Sequence, residues 1–460
     1  MTRTKPLILT ALLLGASNCL ADATPQRPPL ESLASLNLQQ PARRQLDIQH
    51  WQTAEGARVL FVEAHELPMF DLRLTFAAGS SRDGGQPGLA LLTNAMLNEG
   101  VPGKDVTAIA EGFENLGARF GNGAYRDMAL LSLRSLSMPD KRTPALQLFS
   151  QVIGQPTFPA DSLERIRNQL LAGFEQQKQN PAVLASRELF ARLYGNHPYA
   201  HPSDGNPESV RSIRLDSLRD FHHRAYAAGN VVIALVGDLS RSDAEAIASQ
   251  VSAALPGGPA LPALPAPEPP QAGRFRVDFP SQQTHLQLAQ LGITRNDPDY
   301  AALYLGNQIL GGGGFGTRLM EEVREKRGLA YGIYSSFSPM AARGPFTIRV
   351  QTKAEQTEGT LALIQQLVRN YLEQGPSAEE LAMSQKEITG SFPLSTASNA
   401  DIAGELGNIG FYGLPLTFPE DFMAAIPRLT RQQVRDALQR HLSATDFVVV
   451  SAGPDVPQQP

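Results

Sequence analysis

A cation and a phenol, Arg324 and Tyr331, stand seven positions apart in the stretch LGGGGFGTRLMEEVREKRGLAYGIY, residues 310–334. Donors of that kind stabilise negative charge developing on a reacting carbonyl when they are aimed at it in a water-poor site. The same stretch offers a second chemistry, because Gly311, Gly313 and Gly316 satisfy G-x-G-x-x-G. A dinucleotide fingerprint needs those glycines between a strand and a helix, with an acidic residue closing the next strand. Here they follow a predicted helix, 299–310, with no such acid downstream, and Gly316-Thr317-Arg318 lacks the Gly-Lys-Ser/Thr of a phosphate loop. The glycines therefore read as a hinge after a helix end. Taken alone, Arg324 also fits an ordinary helix-face partner of Glu321 or Glu325, and Tyr331 fits half-buried packing at the start of a strand.

Metal and thiol chemistry are thinly supplied. The histidines are His50, His65, His197, His201, His222, His223, His285 and His441. His197 and His201 have i,i+4 spacing, but Pro198 breaks the helix that would align them. His222 and His223 are adjacent and point to different faces, so surface and loop packing accounts for the set. The single cysteine, Cys19, lies in an N-terminal segment with the order of a secretory signal peptide: Arg3 and Lys5, an apolar run from Pro6 to Leu14, then small residues up to Ala21. The apolar run is too short to be a permanent membrane helix, and Asn18 before Cys19 is unlike a lipoprotein signal. Cleavage after Ala21 leaves no cysteine, which excludes disulfides, thiol catalysis and Cys-based zinc sites. The expectation is an exported, periplasmic protein without stable membrane insertion.

The elements that must position Arg324 and Tyr331 come from a chain of 460 residues, too long for one core. A net charge of −5 provides no basic face for nucleic acid. After the signal peptide (1–21) and an extended lead-in (22–45), strands are predicted at 57–63 and 71–77, helices at 88–97 and 106–116, and a long strand at 124–136. Helices follow at 140–155, 160–178, 182–193 and 215–227, then a continuous apolar strand at 230–237 and a helix at 242–255. Residues 255–273, LPGGPALPALPAPEPPQAG, have the composition of a semi-rigid interdomain linker. The second half replays the first. Strands fall at 274–279, 284–290, 331–337, 345–352 and 446–451, with helices at 299–310, 355–374, 377–389, 399–412 and 430–441. The fold class is α+β, with duplicated domains at 46–254 and 274–456.

The motif LGGGGFGTRLMEEVREKRGLAYGIYSSF resembles the C-terminal-domain signature of the pitrilysin/insulinase family of inverted-motif zinc peptidases. FAAGSSRDGGQPGLA (76–90), LGARFGNGAYRDMALLSL (116–133), YGNHPYAHPSDGNPESV (194–210) and AYAAGNVVIALVGDL (225–239) agree in order. The resemblance implies a clamshell of two homologous domains, each a mainly antiparallel sheet packed with helices. It also implies H-x-x-E-H after Gly88-Leu89-Ala90, where two histidines meet one zinc and the glutamate is the general base. This chain has Leu91-Leu92-Thr93-Asn94-Ala95 there. Leu91 and Ala95 have no lone pair, and the Asn94 carboxamide is no base at neutral pH. The third ligand, a glutamate on the following long helix, falls near Asn168 to Gly173, where no acid stands; Glu175 is close.

By contrast the family's Arg–Tyr pair, which holds the scissile carbonyl, maps onto Arg324 and Tyr331. The strand that pairs with an extended peptide in the family maps onto 124–136, beginning Ala124, Tyr125, Arg126. Some members divide the labour between two chains, and this sequence has the composition of the zinc-free kind. The resemblance thus implies no cofactor in this chain, with zinc in a homologous H-x-x-E-H partner, and domains opening and closing about the linker. Two other expectations stand beside it: a peptide-binding scaffold with no part in catalysis, and a peptidase with a rearranged metal site.

Overall fold

The computed structural model describes residues 46–455, so the predicted signal peptide and lead-in lie outside the described residues. In chain order the first half holds β1 (Gln49–Gln52), β2 (Arg58–Glu63), β3 (Met69–Phe76), α1 (Leu89–Met96), β4 (Gly100–Val101) and β5 (Lys104–Asp105). Then come α2 (Val106–Glu114), β6 (Arg119–Ala124), β7 (Ala129–Leu136), α3 (Pro139–Gly154), α4 (Ala160–Gln177) and α5 (Pro181–Tyr194). The half closes with α6 (Pro207–Ser212), α7 (Leu215–Ala225), β8 (Val231–Gly237) and α8 (Arg241–Ala254). The second half holds β9 (Gly273–Asp278), β10 (Gln283–Leu291), α9 (Tyr300–Asn307), β11 (Ala330–Phe337), β12 (Pro345–Lys353), α10 (Thr357–Gln374) and α11 (Ala378–Ser391). It ends with α12 (Asn399–Tyr412), α13 (Phe418–Ala425), α14 (Arg431–His441) and β13 (Val448–Gly453).

The two main sheets repeat one plan. The first runs β1-β2-β8-β3-β7-β6 and the second β9-β13-β10-β12-β11. In each, the closing strand of its half is parallel to one neighbour (β2 or β9) and antiparallel to the other (β3 or β10). The apolar run at 231–237 is buried at every position, as a strand covered on both faces must be. One face of each sheet packs on its own helices, giving a core around Phe61, Leu72, Phe76 and Phe149 in the first half and around Leu288, Ile348, Ile364 and Tyr371 in the second.

The other faces are covered by exchange. Ile402, Ala403, Leu406 and Ile409 of α12, from the second half, pack on Leu60, Val62, Val232, Ala234 and Val236 of the first sheet. Reciprocally, Ala185, Leu189 and Leu193 of α5 pack on Ala289, Leu291, Val448 and Val450 of the second. Close approach is built into α12, where a Cβ on Gly410 would stand 2.4 Å from Val232 Cγ1 and 3.0 Å from Leu60 Cδ1. The linker has no regular structure, as its prolines dictate, but it is pinned along its length. Ala228 N–H donates to Pro256 O (2.9 Å), Leu261 N–H to Asn230 Oδ1 (3.0 Å), and His197 Nε2 lies 2.9 Å from Pro265 O.

One strand differs from expectation. Residues 124–136 are not a single edge strand: Ala124 ends β6, residues 125–128 turn, and β7 begins at Ala129. The edge of the first sheet is β6, and β7 is interior between β3 and β6. The turn forms because Arg126 and Asp127 direct their side chains inward to polar partners, and residues 79–81 take the carbonyls of 125–127. Short elements absent from the sequence-based expectation, β1, β4, β5, α6 and α13, complete the inventory.

Candidate functional site

Arg324 lies in a widened, π-helical segment, Met320–Glu325, held down by buried Met320 and Val323. The widening shows in Lys326 N–H donating to Glu321 O, five residues back, at 2.9 Å. Lys326 and Arg327 occupy the acidic neighbours, pairing with Glu321 and Glu322. Arg324 is therefore left without a carboxylate partner among the described residues. Its guanidinium instead stacks on the Tyr331 ring, 5.1 Å from the centroid, and on Phe315, 4.7 Å away. Gly328, at φ 60°, turns the chain so that Leu329 N–H reaches Val323 O (2.9 Å) and β11 can start at Ala330, ahead of its first interior side chain, Ile333. Tyr331 is 90% exposed and Phe315 72%. The structure brings Arg324 and Tyr331 together, as a cation on a phenol ring, with neither polar end hydrogen-bonded to a side chain among the described residues.

The glycine run is more than a hinge. After α9 the backbone continues π-helical through Gln308–Gly312. A Cβ on Gly311 would meet Ser335 Oγ at 2.7 Å and Leu319 Cδ1 at 2.8 Å, so this glycine lets the segment lie against β11. Asn307 locks the same junction, donating to Ser335 O (3.2 Å) and accepting from Ser335 Oγ (2.8 Å).

In the other half of the expected site, Asn94 is buried and Ala95 packs against the core. Leu91 and Ala95 are half-buried one turn apart on α1, and Asn94 is buried. The Asn94 amide donates to the Tyr226 hydroxyl at 3.1 Å, and burial pushes that phenol well above its ordinary pKa. On α4, Leu170 and Leu171 pack against the same core as Ala95, while Glu175 faces solvent in an ion pair with Lys178. Aliphatic side chains offer zinc no ligand, and the asparagine is committed to a buried phenol. The residues present do not fit the metal.

The N-terminus of α1 is held from outside the helix. Asp83 accepts from Gly88 N–H and Ala90 N–H, each at 2.8 Å, and burial pushes its carboxyl up to about 7. The remaining candidate residues fall as follows. Ala124 ends the edge strand, Tyr125 is exposed in the turn, and Arg126 points inward, donating to Tyr199 O and His201 O over the Phe190 ring. His197 and His201 each bond a carbonyl, of Pro265 and Pro202, and do not converge on one point. A group the sequence reading missed is Asp297, Asp299 and His441. Arg440 takes both oxygens of Asp299, at 2.9 and 2.7 Å, so this is an ion-pair cluster joining the start of α9 to the end of α14.

A duplicated α+β scaffold with a half-buried arginine on an exposed tyrosine, and with no zinc ligand at the metal half, defines a class: a peptidase fold that has lost its own catalytic centre. Comparison with known proteins agrees. Residues 58–205 match the family described as insulinase (peptidase family M16), and residues 212–388 match the peptidase M16 inactive domain. A crystal structure of a peptidase M16 inactive domain from Pseudomonas fluorescens is 67% identical, with a TM-score of 0.88, covering 90% of this chain and 100% of that one. The non-peptidase homolog YmxG of Helicobacter pylori is 28% identical over 402 residues, 85% of this chain and 91% of that protein. An uncharacterized zinc protease YmxG of Bacillus subtilis is 26% identical over 311 residues, 68% of this chain and 75% of that protein. The chain belongs to the M16 peptidase family, as a non-peptidase member.

Proposed function

We propose that this chain is the zinc-free subunit of a two-chain metallopeptidase, supplying Arg324 and Tyr331 to a site whose zinc and general base belong to a homologous H-x-x-E-H partner. The carrying observation is the contrast between the two halves: Leu91, Asn94 and Ala95 offer no zinc ligand or base and Asn94 is buried, while Arg324 lies over an exposed Tyr331 with no carboxylate partner among the described residues. A guanidinium kept only for folding would be expected to pair with the acids beside it. Arg324 faces Glu321, Glu322 and Glu325 in sequence, yet Lys326 and Arg327 take the first two.

In this reading Arg324 and Tyr331 donate to the carbonyl oxygen of the scissile peptide and to the negative charge it gains on attack. They bind, orient and stabilise; no step of bond making belongs to this chain alone. The N-terminal charge and hydropathy pattern of residues 3–21 supports a periplasmic location for the pair. The test is reconstitution. The purified chain and an H-x-x-E-H homologue from the same organism are assayed for cleavage of a quenched fluorescent peptide, separately and together, and sized by gel filtration. The expected result is a complex whose cleavage exceeds the sum of the separate chains. A stable homodimer that binds peptide and adds nothing to the partner's cleavage would overturn the proposal in favour of a scaffold.

A further inference from the structure

Because the two sheets share one strand order, equivalent positions can be compared, and at one of them a counter-ion is missing. On the first sheet Asp71 and Arg134 are cross-strand partners on β3 and β7, and the arginine holds the carboxylate by two bonds of 3.0 and 3.1 Å. The corresponding residues on β10 and β12 are Gln287 and Arg349, again directly paired across the strands. The correspondence holds on the other side as well, where Asp71 faces Val236 of β8 and Gln287 faces Val450 of β13. Gln287 cannot neutralise Arg349, and its amide is turned to Ala182 O at 3.0 Å on α5. Arg349 makes neither an ion pair nor a hydrogen bond among the described residues.

Arg349 and Gln287 form one wall of a cavity of about 410 Å³ whose other wall is first-half residues, among them Arg126, Arg187, Asp204 and Phe190. Only one of the three arginines is balanced: Arg187 is paired with Asp204 at 2.9 Å. Arg126 stacks over Phe190, 4.4 Å from the ring centroid, and spends one nitrogen on two carbonyls, with no carboxylate partner among the described residues. The cavity is also lined by the first turn of α5, the positive end of that helix. Three cations, one anion and an aromatic wall describe a receptor for an oxyanion carried on an apolar body. The planar fork of arginine suits a carboxylate taken through two parallel bonds, and the volume falls within the range of small-ligand sites.

We infer that the cavity between the halves binds a carboxylate of a peptide, with Arg349 as the primary anchor and Arg126 beside it. That the carrier is a peptide rests on the function proposed above; the anion site itself rests on the missing counter-ion. The register places Tyr334 of β11 directly opposite Arg349, on the same strand that carries Tyr331. A peptide held at Arg324 and Tyr331 therefore has a second anchor one strand further in.

The experiment uses the full purified chain and fluorescence anisotropy with three short labelled peptides of one apolar sequence. One has a free C-terminus, one is C-terminally amidated, and one is amidated with a glutamate in the middle. Binding of the first alone assigns the terminal carboxylate, and binding of the third as well assigns an acidic side chain. The fully amidated, uncharged peptide is expected to bind about tenfold more weakly or worse. Arg349→Gln should weaken the carboxylate peptides by about tenfold or more, and Gln287→Asp, which restores the first half's ion pair, should do the same. Arg349 is exposed and makes no bond among the described residues, so its replacement leaves folding intact, as a thermal melt checks.

Affinity unchanged in Arg349→Gln, equal affinity for the uncharged peptide, or no binding by the wild-type chain would overturn the inference. So would displacement by inorganic phosphate at concentrations where acetate has no effect. Loss of binding in Arg324→Ala with Arg349→Gln silent would sink the cavity and leave the proposed function standing. Binding that depends on Arg349, in a chain that adds nothing to a partner's cleavage, would do the reverse.

Discussion

At the scale of single residues, the zinc positions show how a catalytic centre becomes a structural one. Asn94, where the general base would stand, donates to a fully buried phenol. Asn94→Ala strands that hydroxyl, and an unsatisfied buried polar group costs about 1–3 kcal/mol. Urea unfolding should show that loss as a lowered midpoint with an unchanged slope; no change would mean Tyr226 finds another partner. Asp83 gives a pH signature. Its folded pKa is raised from an ordinary 3.8 to about 7, so between those values the folded state holds a proton that the unfolded state has released. Its contribution is therefore greatest in acid and declines as pH rises from about 4 to about 7. The stability difference between the wild type and Asp83→Asn should shift against the wild type over that window, measured by melts at several pH values. A constant difference would contradict the assignment. Burial raises Asp127 in the same sense, which is why the comparison must be with the single variant.

What the sequence made legible at this scale was identity, and what it hid was environment. Leucine and alanine in place of histidine offer zinc no ligand at positions 91 and 95, from their chemistry alone. That Arg324 would go unpaired was not readable, because Glu321, Glu322 and Glu325 are all within reach along the chain. Only the widened turn and the competing Lys326 and Arg327 decide which charges meet.

At the scale of elements, local signals located most boundaries. The capping boxes at Ser240, Ser377, Ser398 and Thr430 start α8, α11, α12 and α14 close to where periodicity places them. The misjudged element was the strand at 124–136, whose turn is specified by long-range partners of Arg126 and Asp127 rather than by glycine or proline. The exchange of α5 and α12 was also invisible, since an amphipathic pattern states that a face is buried without naming the sheet that buries it. Leu406→Ala on α12 and Leu189→Ala on α5 remove side chains that are fully buried against the opposite half. Each should cost about 2–5 kcal/mol, read as a lowered unfolding midpoint by circular dichroism. A negligible cost for either would mean that its helix is not locked to the other half's sheet.

At the scale of the whole molecule, the exchange ties the halves into one cooperative unit. Opening them would strip the apolar cover from both sheets and break the buried junction where Asp127 and Tyr199 receive the N–H groups of Ala341 and Ala342. Calorimetry should therefore show one transition for the two halves together, and two resolved transitions would argue for independent halves. The proline-rich linker, pinned to Asn230 and His197, crosses a joint that is already closed. Among the described residues no helix is long and apolar enough to cross a membrane.

The central claim is that Arg324 and Tyr331 act on a substrate in another chain's active site. It is tested most directly by the turnover of the reconstituted pair with this chain as wild type, Arg324→Ala or Tyr331→Phe, each with the partner fully complexed and at saturating substrate. Loss of a donor aimed at the developing oxyanion should lower kcat by about 100-fold or more for Arg324→Ala, with a smaller loss for Tyr331→Phe. Complex formation should be unchanged in both. Turnover equal to wild type in both variants, with the complex intact, would contradict the account.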